Sequence, residues 1–210
     1  MIEPQYHSIR ISGGSELAFQ VAGDPSKPAL LLIHGFPSSS RTFRDVFPAL
    51  AEVAYVIAPD MPGFGRSGLL PVPSFDGIAS AIKVLLDHLK VGPRYIYLHD
   101  FGAPAALKIA MEAPDAVLGL IIQNANAHET GFGPAWQSTR EYWSSPTPEN
   151  EAGATAHLTA AGMRDQYVAG VPTDIANRIS PRSWMRTGAL CKCPAVWQPR
   201  ERLFLTTGPT

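Results

Sequence analysis

The chain has 210 residues, 45% hydrophobic and 17% charged, the composition of a soluble globular domain, alone or with one insertion. A formal net charge of -1 offers no electrostatic footprint for nucleic acid or an acidic membrane surface, so the expected partner is a small molecule. The opening MIEPQYHSIRISGG lacks a basic stretch followed by an apolar core, and Ala29 to Ile33, the longest clean aliphatic run, is too short to span a bilayer. A cytoplasmic protein is expected. Both cysteines, Cys191 and Cys193, lie in one Cys-Lys-Cys, whose spacing fits neither a disulfide framework nor a paired zinc site; two reduced thiols are expected.

In chain order, Ile9/Ile11 and Leu17/Phe19/Val21 alternate with polar neighbours around Gly13-Gly14 and predict a hairpin. The runs 29–33 (ALLLI) and 54–58 (AYVIA), bounded by Pro, Gly and Asp, predict strands buried on both faces of a parallel sheet. Between them, Ser38 to Ser40 can cap a helix carrying Phe43, Phe47 and Leu50. Ile78, Ile82, Leu85, Leu86 and Leu89 fall on one helical stripe. A strand at 95–98, a helix at 103–111 and a strand at 117–123 follow. Strand and helix alternate from 29 to 123, which predicts a doubly wound α/β sheet with right-handed crossovers.

From about residue 130 the pattern changes to Gly, Pro and Trp punctuation with short amphipathic pieces, TREYW and AAGMRDQYV among them, and predicts a helical insertion. The last thirty residues change again. There Lys and Arg outnumber acids five to one, against twelve to seventeen in residues 1–180, and no periodicity survives. The expected organisation is a core over 1–130, a helical cap over 131–185 and an atypical, disordered tail over 186–210.

In such sheets ligand sites lie at the C-terminal ends of the strands. Three motifs fall there: His34-Gly-Phe-Pro37, Asp60-Met-Pro-Gly-Phe-Gly-Arg-Ser-Gly68 and His99-Asp-Phe-Gly102. The second contains a literal GxGxxG, but Pro71 and Pro73 follow it and forbid the helix whose N-terminus would meet a pyrophosphate, so no dinucleotide is expected there. In the third, Asp100 stands where a strand turns sharply into a helix. Gly102 and Ala103 supply the small positions such a turn needs, and Pro104 suits a first helical turn. N–H groups at that helix start can hold an oxyanion or a halide. An aspartate here can attack a polarised sp3 carbon and form an ester that water later cleaves. Its other use is as a helix cap, which explains Asp100 alone but not its coincidence with the two further motifs and a helical insertion.

The runs LLLIHGFPSSSRTFRDVFPALA, VIAPDMPGFGRSG and HDFGAPAAL resemble the α/β-hydrolase superfamily, in the aspartate-nucleophile branch of epoxide hydrolases and haloalkane dehalogenases, over residues 1 to about 185. The resemblance implies Asp100 as nucleophile and the backbone N–H groups of Phe101 and Phe36 as oxyanion hole, with His34 and the Asp60 loop as scaffold. It implies no metal and no organic cofactor. Dehalogenases typically grip halide with a Trp after the nucleophile and often an Asn after His-Gly. Phe101 and Phe36 donate nothing from their side chains, which favours an epoxide. Tyr142 and Tyr167, in the cap, would then protonate the opening ring. Leu98 departs from the small residue usual before the elbow.

The resemblance also demands a histidine base and its acid after the last two strands, and the chain ends where those strands should begin. None of the six histidines takes the place: His7 is in a strand, His34 in the turn, His88 on a polar helix face. His99 points away, His128 lies at the cap entrance beside Glu129, and His157 lies within the cap. The position where some dehalogenases place their acid holds Asn124. The tail therefore reads as a substitute for a missing half, and a sheet left without closing strands exposes an apolar edge. The expected function is hydrolysis of a small apolar electrophile, an epoxide, through a covalent ester that this chain releases slowly. The alternatives are a catalytically impaired remnant that only binds, and a haloalkane dehalogenase-like hydrolase. A homodimer is the expected assembly.

Overall fold

The structure is a computed structural model and describes residues 2–128 and 131–185. Six strands form one mixed sheet: β1 (Gln5–Arg10), β2 (Glu16–Ala22), β3 (Ala29–Ile33), β4 (Tyr55–Pro59), β5 (Arg94–His99) and β6 (Val117–Gln123), in the spatial order β1-β2-β4-β3-β5-β6. β1 and β2 form the predicted antiparallel hairpin, with Ile9 opposite Leu17 and His7 opposite Phe19. Gly13 and Gly14, at φ of 78° and 80°, supply the left-handed backbone its turn requires. β2 runs antiparallel to β4, while β4, β3, β5 and β6 are mutually parallel. The mixed sheet expected from the sequence is therefore present, with an antiparallel start and a parallel remainder.

All five residues of β3 are buried, as a central strand with helices on both faces demands. Helix α1 (Phe47–Ala51) precedes β4, α2 (Phe75–His88) precedes β5, and α3 (Ala103–Glu112) precedes β6. The Ser74 side chain caps α2 by accepting from the Gly77 N–H at 3.0 Å, and Ile78, Ile82, Leu85 and Leu86 bury the predicted stripe. They join Leu31, Ile33, Ile57 and Ile96 in the larger core cluster; Phe43, Phe47, Leu32 and Val56 form a second cluster on the opposite face.

The helix predicted after the serines is a correction. Ser40–Phe43 is a single 3-10 turn capped by Ser39, and α1 starts only at Phe47. The Ser40 N–H donates to the Asp60 carboxylate at 2.8 Å, which ties the start of this turn to the end of β4.

After β6 come α4 (Gln137–Ser144), α5 (Pro148–Thr155), α6 (Ala160–Val168) and α7 (Thr173–Ala176). Residues 186–210, with both cysteines, lie outside the described residues, as does Glu129. Among the described residues β6 pairs on one side only, and Leu118, Leu120, Ile121 and Ile122 along it are exposed. No helix among the described residues is long and apolar enough to cross a membrane.

Candidate active site

The loops leaving β3, β4 and β5 meet at the C-terminal edge of the sheet. Asp100 follows β5 directly and has φ of +49°. Left-handed backbone costs a non-glycine residue roughly 1–2 kcal/mol, and aspartate is among the few types that adopt it. The strain places the Asp100 side chain in the gap between strand and helix rather than in the pleat. Its Oδ1 accepts the Phe36 N–H at 2.8 Å, a charge-assisted bond of the stronger class.

Two glycines make that approach possible by lacking a side chain. A Cβ on Gly35 would lie 2.6 Å from the Asp100 Cβ and 2.8 Å from its Oδ1. A Cβ on Gly102 would collide with the His34 carbonyl oxygen and the Ile33 side chain. The small residues read in HDFGA and HGFP thus let the β3 and β5 loops touch.

His34 is fully buried behind this contact. The Met61 N–H donates to its Nε2 at 2.9 Å, and Nδ1 lies 2.9 Å from the Gly35 carbonyl, so Nδ1 carries the proton and the ring is neutral. Burial pushes its pKa down; the Gly35 carbonyl and the Asp60 charge oppose that shift. Asp60 is buried too, accepting from the Ser40 and Arg66 N–H groups at 2.8 Å each. Gly65, at φ of +53°, lies against that carboxylate with no room for a Cβ. Gly65 of GFGRSG therefore lies directly on a buried acid, and the literal GxGxxG is a loop.

Asp100 opens into a cavity of about 550 Å³. Phe36 and Phe101 line it from the sheet side, Trp136, Thr139 and Trp143 from the α4 side, His157 from the turn after α5 and Gln166 from α6. Asp100, Phe101 and Phe36 are thus brought together at one cavity. Tyr142 and Tyr167 are not among the lining residues. Tyr142 is buried within the helical segment, one residue and so about 100° round the helix from Trp143, and Tyr167 packs against Trp184 at 6.2 Å between ring centroids. His99 turns to the Gln123 carbonyl at 3.1 Å. His128 is exposed and does not line the cavity; Asn124, at φ of +47°, is exposed after β6.

The sequence reading missed Trp136, Trp143, His157 and Gln166. The available signal was the seven-residue spacing of the two tryptophans, which puts both on one helical face. Burial lowers the pKa of His157, against the opposing effect of a hydrogen bond to the Ala154 carbonyl.

A strand-turn-helix elbow beneath a cavity, over a mixed sheet of this order, defines a class, and residues 28–173 match the family model of the alpha/beta hydrolase fold. The chain belongs to that family. It is 37% identical over 147 residues to an uncharacterized hydrolase of Saccharomyces cerevisiae, covering 67% of this chain and 50% of that one. A haloalkane dehalogenase of Bradyrhizobium diazoefficiens is 34% identical over 109 residues, covering 51% of this chain and 35% of that one. Among solved structures, the ligand-free epoxide hydrolase CorEH superposes with a TM-score of 0.70 at 25% identity, covering 92% of this chain and 70% of that one. The chain thus spans half or less of the length of these two curated relatives.

Proposed function

We propose that the chain is a hydrolase of the aspartate-nucleophile kind, acting on a small apolar epoxide, with the helical segment 131–185 as a cap over a core formed by 1–130. The observation that carries this reading is Asp100 itself, held in left-handed backbone with one carboxylate oxygen on the Phe36 N–H and facing the cavity. A cap-type aspartate would instead accept from the first N–H groups of its own helix. No such bond is made at α3, which has no side-chain cap.

In this reading one Asp100 oxygen attacks a ring carbon and the carbon–oxygen bond of the epoxide breaks. The alkoxide takes a proton from water in the open cavity, leaving a hydroxyalkyl ester on Asp100. Tyr142 or Tyr167 would have to turn into the cavity to supply that proton. Water then adds to the ester carbonyl, the oxyanion is held by the Phe36 and Phe101 amides, and the diol leaves. The second step is the slow one. His157, which lines the cavity, is turned to a backbone carbonyl rather than to a carboxylate that would orient it as a base.

The test is intact-mass spectrometry after incubation with an epoxide, with the adduct mapped by digestion. An adduct on Asp100 that persists for hours and vanishes in Asp100→Asn supports the reading. A folded protein that acquires no adduct there overturns it, and leaves the binding-only alternative; halide release from a haloalkane would favour the dehalogenase alternative.

A further inference from the structure

We propose that the electrophile carries an aromatic ring, clamped between Trp136 and Trp143 on one side and Phe36 and Phe101 on the other. This rests on the reading of Asp100 as nucleophile. Two separate aromatic clusters contribute rings to the lining of one cavity. On the sheet side, Phe101 packs against Phe75 at 4.8 Å, Phe36 at 5.8 Å and Phe64 at 6.0 Å between ring centroids. On the cap side, Phe132 packs against Trp136 at 4.8 Å and Trp143 at 5.8 Å, and the two indoles are 6.0 Å apart.

In each cluster the outer rings support the inner ones from behind, and it is the inner rings that line the cavity. Trp136 and Trp143 are half-buried, and both line the cavity. Their planes are tilted by 40° and those of Phe36 and Phe101 by 58°, so faces and edges are both presented. A ring placed there meets aromatic partners in the tilted and edge-to-face arrangements such pairs prefer, whereas an alkyl chain gains only burial and loses rotamer freedom. The size agrees. A space of about 550 Å³ falls among drug-sized ligand sites, and a three- or four-carbon epoxide would leave most of it unfilled. His157 and Gln166 give the epoxide oxygen polar neighbours at the same cavity.

The experiment measures the concentration of epoxide that half-saturates labelling of Asp100, for styrene oxide and for 1,2-epoxybutane. Half-saturation separates binding from the different intrinsic reactivities of the two rings. Styrene oxide should require about tenfold less, Trp136→Ala and Trp143→Ala should each reduce that preference by about threefold to tenfold, and Trp143→Phe should retain most of it. Equal half-saturation in the unaltered protein, or a preference untouched by both alanine variants, overturns the ring site while leaving the nucleophile intact. If neither epoxide labels Asp100, the nucleophile reading fails and the ring site is read separately, by quenching of tryptophan fluorescence with unreactive 1-phenylethane-1,2-diol. Saturable quenching that butane-1,2-diol does not reproduce and Trp143→Ala abolishes supports the ring site; its absence rejects it.

Discussion

Gly35→Ala tests the elbow without touching a reactive group. The new Cβ would sit 2.6 Å from the Asp100 Cβ, 2.8 Å from its Oδ1 and 3.0 Å from the His99 ring. Overpacking a close-packed site costs about 1–3 kcal/mol, and here the neighbours cannot easily yield, because Asp100 is fixed by its left-handed backbone and by the Phe36 N–H. The upper half of that range, about 2–3 kcal/mol, is expected, and for a domain of this size it lowers the melting temperature by roughly 4–12 °C. Gly92→Ala is the control, since nothing lies within 4 Å of its Cβ position. Melting by circular dichroism reads the stability, and labelling of Asp100 reads the site. If Gly35→Ala melts with the control and is labelled as fast as the unaltered chain, the claim that glycine is needed for the β3–β5 contact is wrong.

Ser74→Ala removes the α2 cap and should cost about 1 kcal/mol, measured in urea unfolding; no change in midpoint would deny the cap its weight. Because His34 is held neutral with its pKa pushed down by burial, the unfolded chain binds more protons than the folded one once pH falls below the ordinary histidine value. Its contribution is complete above that value and lost on acidification, by at most about 1.4 kcal/mol per pH unit, so stability measured from pH 7.5 to 5.5 should fall and His34→Gln should flatten the slope. Equal slopes would assign the acid sensitivity elsewhere. Ile122 is 62% exposed on β6, a strand with neither charge nor proline. If two copies associate through that edge, Ile122→Lys should sediment as monomer where the parent chain dimerises, with stability changed by less than about 0.5 kcal/mol; unchanged sedimentation would exclude β6 as the interface.

The parts of the fold governed by a single periodicity were readable from residues alone. The stripe of α2 and the fully buried β3 follow from burial on one face or on both, and burial is a local pattern. The shortening of the predicted helix to a 3-10 turn at Ser40–Phe43 was not readable, because the segment is anchored at its start by the Asp60 carboxylate from a loop twenty residues on, a contact that no local pattern shows. Asp100 was legible for a different reason: a sharp turn needs small neighbours, and Gly102 and Ala103 announce it. The roof of the cavity was not legible. Trp136 and Trp143 share a helical face by their spacing, but their use depends on which face of the helical segment turns to the sheet, a matter of tertiary packing. The atypical tail and the Cys-Lys-Cys within it lie outside the described residues.

The two sides of the cavity are built by different means, and that difference has a kinetic consequence. The sheet side is fixed by backbone: a strained φ, two glycines, and an amide aimed at a carboxylate, all braced by the neutral His34 and the buried Asp60. The other side, formed by Trp136 and Trp143 with Phe132, is fixed by side chains resting on one another. With Asp100 as the proposed nucleophile, backbone errors would misplace its oxygen relative to the electrophilic carbon, and small misplacements of reacting atoms are paid in rate. Side-chain truncations across the cavity remove contacts made equally before and during attack, and these appear in binding. Gly35→Ala should therefore slow labelling of Asp100 at saturating epoxide, whereas Trp143→Ala should raise the half-saturating concentration and leave the saturated rate near that of the parent chain. If both variants moved the same parameter, the division of labour between backbone and cap would be refuted, even with Asp100 established as the nucleophile.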